Sequence, residues 1–163
     1  MYVSTKTYGP QEGFAVCYRQ WRADRKNGSG TGPYSVTEIP GCNALHGYAL
    51  SFYVEFECET LDARNWCVDF GGLKTFKTFL KENFDHTMLV ALDDPEFETF
   101  KMLHDKGLAK MVAVDATGCE AIAKFLVEYL NDIWLEDNYP NSDIRCRKVE
   151  VRETPSNSAY YEL

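Results

Sequence analysis

The chain predicts an α+β fold in which an antiparallel sheet is covered on one face by helices. Three observations carry this. The run His46 to Cys58 alternates with period two, two later segments repeat apolar residues at helical spacing, and Ile144 to Glu153 alternates again. Strands at both ends with helices between them favour an antiparallel sheet over a repeating strand–helix order. At 163 residues the chain makes one domain, 1–163, able to bury roughly 70% of its unfolded surface.

Phe14 to Trp21 reads as the first strand, aromatic and aliphatic without a breaker. Residues 24–41 read as a flexible, glycine-rich loop that covers a site. Its glycines lack the Gly-Lys-Ser/Thr ending of a phosphate cradle, so no nucleotide cofactor is expected. The second strand puts His46, Tyr48, Leu50, Phe52, Val54, Phe56 and Cys58 on one face. Its thirteen residues would span roughly 43 Å at ~3.3 Å each, a length that points to burial against other subunits. A turn at Thr60 to Arg64 and a short strand, Asn65 to Phe70, complete a hairpin.

Leu73, Phe76, Phe79, Leu80 and Phe84 define the first main helix, with Asp69 as its cap. Pro95 to His104 and Met111 to Val114 read as a short helix and a short strand, an insert. Glu120 to Leu135 is the second main helix, Ile144 to Glu153 the last long strand, and Ala159 to Leu163 an added edge.

A net charge of −8 leaves no basic surplus for phosphate backbones, so no nucleic-acid partner is expected. No segment is apolar enough for a membrane, and residues 1–10 carry no secretory pattern, which gives a cytoplasmic expectation with the six cysteines reduced. Cys17, Cys58, Cys67 and Cys146 fall in strand-like runs and read as small core residues. Cys119 opens a helix, where partial positive charge lowers a thiol pKa, although packing explains it as well. Arg19, Arg22, Arg25 and Lys26, and Arg145, Arg147, Lys148 and Arg152, read mostly as solvated charge.

The residues suited to chemistry are Cys42, Asp85-His86 and Glu153, each beside a patterned element. A thiol, an imidazole backed by an acid and an isolated carboxylate can together move protons on a small polar molecule. Each also has a plain reading: an idle loop thiol, a helix terminator and a strand-end surface charge.

Five segments together resemble the 6-pyruvoyl-tetrahydropterin synthase and 6-carboxytetrahydropterin synthase family. They are Cys42-x-x-Leu45-His46-Gly47, Val68-Asp69-Phe70-x-x-Leu73-Lys74, Phe84-Asp85-His86, Glu120-x-x-Ala123 and Val151-x-Glu153-Thr154. The resemblance covers Phe14 to Glu153 and implies a tunnelling fold: a four-stranded antiparallel sheet with two main helices on one face. It implies a lyase acting on 7,8-dihydroneopterin triphosphate, most like a 6-carboxytetrahydropterin synthase on the route to 7-deazaguanine (queuosine-type) nucleosides. The alternatives are 6-pyruvoyl-tetrahydropterin synthase activity, a pterin-binding protein without catalysis, and an assembly protein with no ligand. In this reading Cys42 is the catalytic thiol, Asp85 and His86 the proton relay, and Glu153 the pterin anchor. Glu120 lines the pterin pocket. A homo-oligomer is implied, a hexamer-type ring with sites at subunit boundaries.

The family also implies zinc held by three histidines, one closing the first strand and two in a His-Gly-His. Here His46 is present, but the other positions carry Tyr18 and Tyr48. A phenol ionises only near pH 10 and is a poor zinc ligand at neutral pH. Three arrangements follow. The site is metal-free, with Tyr18 and Tyr48 bonding the substrate side chain; or Cys17 joins His46 in a rebuilt metal site; or catalysis is lost and pterin binding kept.

Overall fold

The computed structural model describes residues 1–23 and 41–163. The loop expected at 24–41 lies outside the described residues except for Gly41, which opens a 3-10 turn, Gly41–Asn43. Strands β1 (Tyr2–Tyr8), β2 (Ala15–Tyr18), β3 (His46–Ala49) and β4 (Ser51–Cys58) precede helix α1 (Lys74–Phe84). Then come β5 (Thr87–Ala91), α2 (Phe97–Asp105), β6 (Met111–Val114) and α3 (Cys119–Tyr129). A π-helical turn, Leu130–Trp134, leads into α4 (Leu135–Asn138), and β7 (Arg145–Arg152) and β8 (Ser158–Glu162) close the chain.

The expected four-stranded antiparallel sheet is present, in the order β1-β4-β7-β8. Period two sorts its faces. Phe52, Val54, Phe56 and Cys58 of β4 and Cys146, Val149 and Val151 of β7 are buried, against α1 and α3. Phe84 of α1 meets Phe52 with ring centroids 5.4 Å apart, and Trp134 meets Phe56 at 6.2 Å. The Trp134 indole N–H donates to Thr75 Oγ1 at 2.9 Å, tying the two helical segments together. On the opposite face Arg145 pairs with Glu57, Arg147 with Glu55, and Arg152 with Glu150. The three arginines of that basic run are matched to carboxylates, and Lys148 lies over the Tyr160 ring.

A second sheet, β3-β2-β5-β6, was not anticipated. It is mixed: β2 pairs antiparallel with β3 but parallel with β5, and β5 parallel with β6 across α2. All five residues of β5 are buried, so Thr87-Met88-Leu89-Val90-Ala91 shows no alternation to read. Strand β1 was also missed. The long second strand is a correction: it divides at Leu50, β3 joining the second sheet and β4 the first. Leu50 is fully buried and its N–H donates to the Phe14 carbonyl at 3.0 Å, which fixes the crossing point.

Asn65 to Phe70 is not a strand. The Asp62 carboxylate accepts the N–H groups of Arg64 at 2.8 Å and Trp66 at 3.0 Å, and Asn65 is left-handed at φ 63°, so a side chain organises a compact turn. Asp69 does not cap α1 either. It accepts the Gly71 N–H at 2.8 Å within its own turn, and the helix begins three residues later without a side-chain cap.

The register slips between Glu55 and Phe56 opposite Lys148 and Cys146, which frees the Cys146 peptide groups. The Asn131 amide takes both, donating to the Cys146 carbonyl and accepting its N–H, each at 2.9 Å. Asn131→Leu strands two buried polar groups and is expected to lower stability by about 2–3 kcal/mol, measured as a shift in denaturant midpoint at constant m-value.

Burial holds the Cys146 thiol up from 9.0 to about 12, and burial followed by the Glu153 charge does the same at Cys119. The helix start does not lower Cys119, because desolvation outweighs the terminal partial charge. Unfolded thiols ionise near the ordinary value while the folded ones stay protonated. Their stability contribution is therefore intact below about pH 9 and declines as pH rises toward about 12. Unfolding midpoints should fall across that alkaline range, and less steeply in Cys146→Ala.

Candidate functional site

The register of β2 against β3 sets Tyr18 opposite His46 and Val16 opposite Tyr48. Alternate strand residues share a face, so Tyr18, His46 and Tyr48 converge. Their ring centroids lie 5.1 Å (His46–Tyr48), 5.6 Å (Tyr18–Tyr48) and 6.0 Å (Tyr18–His46) apart. The Tyr18 hydroxyl donates to Glu153 Oε1. Glu153 follows β7 and is anchored by its own N–H to the Asn157 carbonyl at 3.1 Å. The Cys119 thiol at the start of α3 lies near enough for the Glu153 charge to help raise it. One hydroxyl donor thus faces this carboxylate, from a strand far away in sequence.

Both phenols stay protonated well above neutrality. Burial raises Tyr18, reinforced by its bond to Glu153. Burial also raises Tyr48, followed by the Glu153 charge and then by Cys42, which puts Cys42 in the same electrostatic neighbourhood. The His46 tautomer follows from its partners. Nδ1 lies 2.7 Å from the Ala44 carbonyl, which only accepts, so Nδ1 carries the proton. Nε2, 2.9 Å from the Tyr48 hydroxyl, is therefore the acceptor of that phenol's proton.

Cys42 is exposed, and its turn is held firmly. The Gln20 N–H donates to the Cys42 carbonyl at 2.9 Å. Asn43, itself buried, donates to the Trp21 carbonyl at 2.6 Å and receives Arg19 Nη1 at 3.3 Å. Arg19 grips Asp94 through two bonds, 2.8 and 2.5 Å, in the bidentate geometry that suits a guanidinium. Arg19 is thus an internal brace and not solvated charge, whereas Arg22 pairs with exposed Asp93.

Asp85 and His86 form the expected pair, Nδ1 to Oδ1 at 2.8 Å. Asp85 terminates α1, and His86 adopts a left-handed φ of 55° with its N–H on the Ala15 carbonyl at 2.6 Å. The imidazole is 85% exposed. It borders a shallow depression of about 620 Å³ shared with Cys17, Gly47, Tyr48 and Lys110. Cys17 and Gly47 alternate with Tyr18 and His46, so this depression opens largely on the other side of the second sheet. One chain therefore assembles Tyr18, His46, Tyr48 and Glu153 with Cys42 nearby, and displays the Asp85–His86 pair separately. Glu120 lines a cleft of about 330 Å³ with Gln20, Trp21, Arg22 and Thr117. Gly118 has a φ of 110°, a backbone conformation that strains any residue with a side chain.

The residues at the expected zinc positions do not fit zinc. His46 spends both nitrogens on Ala44 and Tyr48, and the two other positions are neutral phenols, one committed to Glu153. Cys17 lies on the opposite strand face from His46 and adds no ligand. Among the described residues no group of three His, Cys, Asp or Glu could hold a metal ion.

Sequence reading missed Cys119 and the Arg19–Asp94 brace. Cys119 is 34 residues from Glu153 in sequence, and no local pattern joins them.

A four-stranded antiparallel sheet with two main helices on one face defines a tunnelling-fold protein. The chain belongs to the 6-pyruvoyl tetrahydropterin synthase family, whose pattern matches residues 11–163. It is 26% identical over 151 residues to 6-carboxy-5,6,7,8-tetrahydropterin synthase of Aquifex aeolicus (strain VF5), covering 91% of this chain and 93% of that protein. In structure it resembles an uncharacterized protein from Wolinella succinogenes, with TM-score 0.73, 24% identity and coverage of 99% and 97%. It also resembles 6-pyruvoyl tetrahydropterin synthase of Caenorhabditis elegans, with TM-score 0.58, 18% identity and coverage of 99% and 95%.

Proposed function

We propose that the chain is a pterin lyase of the 6-carboxytetrahydropterin synthase kind, converting 7,8-dihydroneopterin triphosphate in 7-deazaguanine biosynthesis. The observation that carries this reading is the Glu153 carboxylate, which accepts the Tyr18 hydroxyl, with Cys119, Tyr48 and Cys42 in its electrostatic neighbourhood. Its remaining acceptor positions suit the paired N–H donors on a guanidine-like ring edge. In this reading Cys42 takes a carbon-bound proton of the ligand side chain, and His86, steered by Asp85, exchanges a proton with a side-chain hydroxyl while triphosphate departs.

The separate placement of His86 suits a ring in which a neighbouring copy completes each site. Strands β1 and β8 leave two open edges on the first sheet, and joining such edges between copies would satisfy them. The partners in this reading are a pterin triphosphate and further copies of the chain, in a hexamer-type ring. No helix among the described residues is long and apolar enough to cross a membrane.

Incubation with 7,8-dihydroneopterin triphosphate is expected to release triphosphate and form 6-carboxytetrahydropterin. A 6-pyruvoyl product would instead assign the sister activity. A second reading, pterin binding without catalysis, is favoured by the two tyrosines at the metal positions. It predicts saturable binding dependent on Glu153 with no product in the same assay.

A further inference from the structure

We propose that Tyr48 and His46 act as a proton-accepting pair toward a hydroxyl of the ligand side chain, so that this site works with no transition metal in it. The proposal rests on the pterin reading above and concerns how that site operates.

His46 Nδ1 gives its proton to the Ala44 carbonyl, so Nε2 presents a lone pair, and the Tyr48 hydroxyl at 2.9 Å points its proton there. That leaves the lone pairs of the Tyr48 oxygen as an acceptor for an incoming hydroxyl. Tyr18 does not compete for this task, because its own proton is committed to Glu153. Packing keeps the pair in register: the His46 and Tyr48 rings meet edge to face, and Tyr18 lies beside both.

A ligand hydroxyl donating to Tyr48 completes a two-step chain. Its O–H bond breaks as a new O–H forms on Tyr48, while the original Tyr48 O–H breaks as an N–H forms on His46 Nε2. The electron pair stays on the ligand oxygen as an alkoxide, and His46 ends as an imidazolium still donating to Ala44. Two protons shift, one net proton passes from the ligand to His46, and no co-reactant is needed. The pair is positioned for this by the strand register that places residues 46 and 48 on one face. A cation at this point would have to displace the Tyr48 proton from Nε2 and pull Tyr18 from Glu153. The cluster is already closed by its own hydrogen bonds.

The test uses the full chain after dialysis against a chelator, titrated with zinc alone by calorimetry and then assayed with 7,8-dihydroneopterin triphosphate. The expected results are no stoichiometric zinc uptake and turnover unaffected by chelator or by added zinc. Tyr48→Phe, which keeps the ring, should lower kcat by about a hundredfold while pterin affinity, set by Glu153, is retained. The double variant Tyr18→His, Tyr48→His should acquire stoichiometric zinc uptake, because it supplies three imidazoles on one face.

Stoichiometric zinc in the native chain with turnover lost on chelation overturns the proposal and leaves the pterin reading standing. So does undiminished kcat in Tyr48→Phe. Failure of the double variant to take up zinc overturns the argument that these two positions exclude the metal. A native chain that neither binds a pterin nor turns over removes the functional reading, and this proposal with it.

Discussion

Glu153→Gln is expected to weaken pterin binding by about 2–4 kcal/mol, or roughly 30- to 1,000-fold in Kd. The carboxylate offers only acceptors, and the amide replaces one of them with a donor. A guanidine-like ring edge, which presents N–H groups, then meets an N–H and loses a bond. The same substitution disturbs the interior, since the buried Tyr18 hydroxyl donates to this group. Binding and folding effects separate by measuring Kd with a pterin at a temperature where the variant remains folded by circular dichroism. An unchanged Kd would remove Glu153 from the role of anchor.

Cys42→Ala has the opposite profile. The thiol is exposed, so stability should stay within about 0.5 kcal/mol. The turn itself is fixed through backbone and through Asn43, none of which the substitution removes. Loss of a positioned proton acceptor typically lowers the rate by about 10²–10⁴-fold. Single-turnover measurements should therefore show product formation nearly abolished with pterin affinity intact. Equal rates for variant and parent would return Cys42 to the status of an idle loop thiol.

What was legible in the sequence, and what was not, divides along a physical line. Where one face is buried and the other wet, alternation is explicit, and β4, β7 and the inner stripe of α3 were readable from it. Strand β5 is buried on both faces and carries no such contrast. The break at Leu50 preserves the period of two, so the change of sheet leaves no mark in the pattern. Asn65 to Phe70 looked extended, yet the Asp62 carboxylate satisfies the local backbone and prevails over a hairpin. For the site, the candidates Cys42, Asp85, His86 and Glu153 rest on their order along the chain. The Tyr18–Glu153 bond and the Cys119 contribution come from sheet register and helix docking. Arg19 was hidden for the same reason: its partner, Asp94, is 75 residues away.

The left-handed backbone at His86 bears on how this protein would evolve. A residue with a Cβ at φ 55° costs roughly 1–2 kcal/mol over glycine in that conformation. A laboratory screen for heat resistance would accordingly be drawn toward glycine at position 86, and each survivor would have discarded its imidazole. Durability and chemistry pull this one position in opposite directions.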